Sequence, residues 1–182
     1  TEFGLLVATP ILTGSLVRLP LGLLTDRYGG RIVYFIQMIL VAIATYGLAF
    51  ADQFWQYLLI GLCVGLAGGS FAIGIAYTSA WFQKEKQGTA LGIFGAGNAG
   101  AAVNIFVAPL IIVALGWRAV PTIYSVSMLV MAVVFWFFTY PDPLLEGRKR
   151  SGKMPTLTNM LEPLRKTRVW RYGLAYYFVF GG

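Results

Sequence analysis

The sequence predicts an all-α membrane protein, a bundle of helices that each cross a bilayer. Three observations predict it. Hydrophobic residues make up 58% of the 182 and charged residues 12%, which is more apolar surface than a water-soluble domain of this length can bury. Ionisable side chains fall mostly between uncharged runs of about 20 residues or more, the length a helix needs to cross roughly 30 Å of hydrocarbon. The basic residues are also lopsided. Alternating the runs across a membrane puts Arg27, Arg31, Lys84, Lys86 and all eight basic residues from Arg148 to Arg171 on one side, and Arg118 alone on the other. By the positive-inside rule the basic side is cytoplasmic.

Residues 3–25 form the first span, and Arg18 is their one ionisable side chain. A signal peptide, the other explanation for an apolar stretch at the start of a chain, needs a basic flank that residues 1–25 lack. Runs at 32–51, 53–83, 87–117 and 119–141 complete five spans. Their short connections, "ADQFW" around Asp52 and "LGWRAV" around Arg118, predict antiparallel neighbours. Residues 141–169 open with two prolines and carry a basic tract, so they read as a cytoplasmic loop between a membrane unit at 1–140 and a second beginning at 170. In this loop Leu157, Met160, Leu161 and Leu164 follow helical spacing behind Thr156, predicting a short amphipathic helix that Pro163 weakens. Its basic flank fits either lipid headgroups or plain water. A sixth apolar run opens at Tyr172 and reaches Gly182, so the chain is expected to be an internal piece of a longer protein.

Composition narrows the function. A net charge of +7 would point to nucleic acid in a soluble protein, but here it marks the cytoplasmic membrane side, and no nucleic-acid partner is expected. The chain has no histidine and one cysteine, Cys63, inside a span, so neither a disulfide framework nor a metal site is expected. No nucleophile with a base and no nucleotide loop is present; "GAGNAG" has membrane helix on both flanks and no preceding strand. The expectation is a protein that is not an enzyme and needs no cofactor. Glycines recur at helical spacing, at Gly61, Gly65 and Gly69, then at Gly88, Gly92 and Gly100 with Ala96 between. Such stripes let helix backbones approach closely in lipid, and also let them rock.

Two polar residues stand out inside the spans. Arg18 lies about eight residues before Asp26, roughly 12 Å along a helix, too far for its guanidinium to reach the interface easily. An arginine at that depth costs at least about 2.5–3.5 kcal/mol and calls for a counter-charge. All seven acidic residues lie at or outside span ends, so the counter-charge is either supplied from elsewhere or is a bound substrate. A planar, permanently charged fork suits a small planar oxyanion, and the structural alternative is an arginine bonded to backbone carbonyls or to partners outside the fragment. Gly14 and Gly22, one turn to either side, leave room around it. Asn98 lies about 160° around a regular helix from the Gly92/Ala96/Gly100 stripe, which fits a cavity-lining amide as well as a helix-to-helix hydrogen bond.

"GLLTDRYGGR", Gly22 to Arg31, resembles the loop signature of the major facilitator superfamily. The resemblance makes the five spans segments two to six of a twelve-helix bundle, followed by the central loop and the start of segment seven. It also makes Gly22, Asp26, Arg27, Gly30 and Arg31 a cytoplasmic gating motif. Asp26, unfavourable at a helix C-terminus unless paired, is within reach of Arg27 and Arg31. "GLAGGSFAIGIAYTSAWFQKEKQGTALGIFGAGNAG", Gly65 to Gly100, resembles the nitrate/nitrite porter family more specifically, departing at Ala101 and Ala102 where many members have further glycines. That resemblance implies Arg18 as the anion-binding arginine of this half, Asn98 as an amide on the substrate and Phe71 as an aromatic wall. It also implies Gly92, Gly95, Gly97 and Gly100 as packing and hinge positions. In "YYFVFGG" it implies Tyr176 and Phe180 as substrate-facing aromatics, with a register through Tyr177 as the alternative. A second arginine would lie beyond Gly182.

The expected function is transport of nitrate, nitrite or both by alternating access in the bacterial cytoplasmic membrane. Exchange is favoured over proton symport because the spans hold no acid and no histidine. The expected partners are the small inorganic anion and the lipid bilayer, and the carrier is expected to act as a monomer. A carrier for another small anion and a membrane receptor that binds without transport are the rivals.

Overall fold

A computed structural model describes residues 2–150 and 162–180, and all regular structure among them is helical. Five helical spans are long and apolar enough to cross a membrane: Glu2–Tyr28, Gly30–Phe50, Phe54–Trp81, Lys84–Leu115 and Ala119–Phe138. They follow the uncharged runs to within a few residues.

The first span is helix α1 (Glu2–Tyr28), and the second is α2 (Gly30–Gly47) with a closing 3-10 turn. The third is interrupted: α3 (Phe54–Val64) passes through a 3-10 segment, Gly65–Gly69, into α4 (Ser70–Trp81). The fourth is interrupted too, with α5 (Lys84–Gly95) and α6 (Ala99–Leu115) joined by 3-10 residues Ala96–Asn98. Helices α7 (Ala119–Phe138) and α8 (Pro143–Arg150) follow. The chain divides into two compact units, Thr1–Gly147 and Arg148–Gly182. The second contains a 3-10 turn, Glu162–Arg165, and α9 (Thr167–Phe180). The amphipathic helix expected over 157–164 falls, through residue 161, outside the described residues.

The first unit is apolar on the outside. Leu16, Phe137 and Val113 are 68%, 78% and 88% exposed, while Thr25, Gln37 and Ser125 are buried. In lipid, apolar side chains have no reason to turn inward, and helices associate through small residues and a few hydrogen bonds. Both devices are present. Helix α2 pairs with α7 by stacking Tyr34 on Phe135 at 5.3 Å and Phe35 on Trp136 at 4.6 Å, and Ser125 Oγ donates to the Ala42 carbonyl at 2.7 Å. Helix α1 instead meets the third span backbone to backbone. A Cβ on Gly68 would lie 2.7 Å from Gly14 Cα, and one on Gly65 would lie 2.7 Å from the Pro10 carbonyl oxygen.

The turn between α1 and α2 rests on Gly29, at φ +92°, a conformation that side chains strongly disfavour. A Cβ there would also press on Leu145 of α8 at 2.8 Å, and one on Gly30 would enter the Tyr77 ring.

Candidate functional site

Arg18 projects from the middle of α1, exposed among the described residues. Its Nε–H donates to the Gly68 carbonyl at 3.2 Å, and it makes no other hydrogen bond or ion pair with a described residue. That carbonyl belongs to the 3-10 segment, whose i→i+3 bonds are less well aligned than those of an α-helix, and its second lone pair can take a further donor. Close approach of the backbones brings it within reach: Gly14 Cα faces Gly68 with no side chain between them. One edge of the guanidinium is thus tethered, and its two terminal amino groups remain as a parallel pair of donors. Among the described residues the ion pair present is Arg118 with Asp52, at 2.6 Å on exposed connecting segments, and no carboxylate meets Arg18.

Phe71, in the first turn of α4 and three residues after Gly68, is half-buried. Its ring lies 5.5 Å from that of Phe94 on α5, which also fills the space beside Gly74. Asn98, one turn beyond Phe94, is exposed and its amide bonds to no described residue. Arg18 therefore meets the third span at Gly68, three residues before Phe71, and the Phe71–Phe94 ring pair joins that span to α5, four residues before Asn98. Among the described residues no hydrogen bond, ion pair or ring contact joins the three. Asn98 ends the 3-10 turn, whose residues advance about 120° each, so the 160° angle expected for an uninterrupted helix does not carry over.

Gly92, Gly95, Gly97 and Gly100 face open space: a Cβ on any of them would meet nothing within 4 Å among the described residues. The tight seam is the other one, where Gly61, Gly65 and Gly69 approach Pro10, Thr13 and Leu21 of α1. Tyr176 and Phe180 fall on α9, and the structure describes the backbone there but not these side chains.

The expected pairing within the loop motif is corrected by the structure. Asp26 is exposed and joined to neither Arg27 nor Arg31 among the described residues. Arg27 lies over its neighbour Tyr28 at 5.6 Å. Arg31 turns to α7, donating to the Trp136 carbonyl with its guanidinium 4.3 Å from the Trp136 ring centre. The C-terminal carbonyls of α7 lack helical partners and carry the negative end of its dipole, so they favour an arginine donor. Gly30 seats against Tyr77, and Gly22 faces open space among the described residues.

Several polar contacts were not anticipated. Gln37 of α2 donates to the Leu66 carbonyl, Tyr124 of α7 bonds to Asn104 of α6, and Gln87 Nε2 closes the α4–α5 turn on the Ser79 and Phe82 carbonyls at 3.0 and 3.1 Å. A polar side chain within an uncharged run is the signal that marks Gln37 and Asn104.

The Major Facilitator Superfamily model matches residues 1–182. A "Probable nitrate/nitrite antiporter NarK1" of Thermus thermophilus is 43% identical over 99% of this chain and 44% of its own length. A "Nitrite extrusion protein" of Bacillus subtilis (strain 168) is 32% identical over 99% of this chain and 44% of its own length. A "Probable nitrate/nitrite transporter NarK2" of Mycobacterium tuberculosis is 31% identical over 100% and 46%. The chain spans less than half the length of these relatives. On the full-length family match and these similarities, the chain is a multi-pass membrane protein that belongs to the major facilitator superfamily and, within it, to the nitrate/nitrite porter family.

Proposed function

We propose that the protein of which this chain is part exchanges nitrate and nitrite across the bacterial cytoplasmic membrane by alternating access. The observation that carries this is Arg18: a guanidinium in the middle of a span, held at Nε by Gly68 and met by no described carboxylate, with its terminal donors in parallel. A small planar oxyanion matches that fork in charge and shape. Phe71 supplies an aromatic wall, Asn98 a hydrogen bond that selects among anions, and Tyr176 and Phe180 contacts from segment seven. The relatives' names support nitrate and nitrite as the anions. Gly22, Asp26, Arg27, Gly30 and Arg31 act at the cytoplasmic gate, with Arg31 bound to α7 in the state described. Residues Gly92, Gly95, Gly97 and Gly100 serve as packing and hinge positions against segments beyond this chain. The protein is a carrier rather than an enzyme, works as a monomer without a cofactor, and has its central loop in the cytoplasm.

Competition tests the assignment. With the full-length protein in proteoliposomes, unlabelled nitrite is expected to suppress labelled nitrate uptake, and formate or acetate at the same concentration to leave it largely intact. Suppression by the carboxylates alone would reassign the substrate, and saturable binding without flux would make the protein a receptor.

A further inference from the structure

Gln37 is 4% exposed in the middle of α2, and its two polar atoms are treated unequally. Nε2 donates to the Leu66 carbonyl, whereas Oε1 is buried with no donor among the described residues. A half-satisfied amide is a poor stabiliser of an apolar bundle, since the unmet oxygen loses much of what the bonded nitrogen gains. An apolar residue of the same size would fill the place at less cost, so the bonded half has work that packing alone would not explain.

Its partner shows what that work is. Leu66 and Gly68 belong to the same 3-10 segment, about 4 Å apart along the axis at 2.0 Å per residue. The Leu66 carbonyl takes a donor from α2, and the Gly68 carbonyl takes Arg18 from α1. Tyr34, one turn before Gln37 on the same face of α2, lines the same cavity as Ser70, the residue that follows the segment. Helix α2 therefore holds the segment through a side-chain hydrogen bond at Leu66. The segment, "GLAGG", has little of its own to fix its shape: Gly65, Gly68 and Gly69 meet α1 through backbone and bare contacts. A cavity of about 200 Å³ lined by Tyr34, Gln37, Ala67 and Ser70 leaves it room to relax toward regular helix were the grip released.

We propose that Gln37 is a positioning residue for the anion site. By holding the Leu66 carbonyl it keeps Gly65–Gly69 in the 3-10 form that offers the Gly68 carbonyl to Arg18 Nε, and so sets the direction of the arginine fork. This rests on Arg18 being the anion-binding group, but the positional part is testable without an anion.

The test uses the full-length protein in nanodiscs with 15Nε-labelled arginine, the Arg18 Nε–H signal being assigned by its absence in Arg18→Lys. Gln37→Met keeps length and apolar volume and removes the donor. The Arg18 Nε–H signal is expected to shift or broaden in the absence of nitrate. The nitrate KM in proteoliposomes is expected to rise about ten-fold with maximal rate within about two-fold, the scale of one lost hydrogen bond expressed in binding. An unmoved Arg18 signal overturns the proposal whatever happens to KM, because a packing role alone would leave Nε bonded. A moved signal with unchanged KM refutes the anion-binding reading of Arg18 and leaves the Gln37 grip standing. If Gln37→Met does not fold, Gln37→Leu carries the test: loss of the donor to Leu66 moves the same signal, or the proposal fails.

Discussion

Nitrate uptake by the full-length protein is expected to fall about 100-fold when Arg18 is replaced by lysine, although the charge is kept. Lysine has no Nε–H beside a planar fork. It either reaches the Gly68 carbonyl or presents its ammonium to the anion, and it cannot offer two parallel donors while tethered. Because the positive charge remains, insertion and folding are preserved, so the loss appears in initial rates at matched protein levels. A wild-type rate in Arg18→Lys would return Arg18 to a structural role, a brace between α1 and the third span.

The second large effect concerns the surface against which that arginine is held. Gly68→Ala is expected to destabilise by about 2 kcal/mol and to lower the thermal unfolding midpoint by about 5 °C, the scale of overpacking a close contact. The added Cβ would sit 2.7 Å from Gly14 Cα and 3.3 Å from its carbonyl carbon, both backbone atoms, so α1 must move as a body. That movement also pulls Arg18 from Gly68, and nitrate transport falls with stability. Gly47→Ala is the matched control. Its Cβ would meet the end of Ile60 at 3.6 Å, an ordinary contact, and its midpoint is expected to stay level with the parent or to rise by a few degrees. Equal shifts in the two variants would mean that the α1 seam does not bear on stability.

The spans were legible because lipid imposes its demand on every residue of a crossing helix, and uncharged runs of the right length leave few other options. Arg18 was legible for the same reason in reverse: a charge in mid-span is costly enough to need a specific account. Partners were not legible. Arg31 lies near Asp26 in sequence, yet it binds Trp136, which is 105 residues away, because the unpaired carbonyls at the end of α7 come within its reach only once α2 and α7 have packed. The glycine spacing at Gly61, Gly65 and Gly69 signalled close approach without naming α1 as the neighbour. The interruption at Gly65–Gly69 was hidden, because glycine permits helix, 3-10 turn and bend alike, and the donors that meet the segment, Arg18 and Gln37, come from other helices. Gln37 itself was one amide in an apolar run, and its geometry with Leu66 was needed to see what it holds.

The most direct test of an anion exchanger built around Arg18 is labelled nitrate uptake into proteoliposomes of the full-length protein, with nitrite-loaded and empty vesicles compared at equal pH inside and out. Rapid uptake is expected into the nitrite-loaded vesicles and little into the empty ones, since an exchanger's site must be refilled before it reopens to the other side. Uptake into empty vesicles driven by an imposed pH gradient, and indifferent to internal nitrite, would contradict exchange and make the protein a proton-coupled carrier.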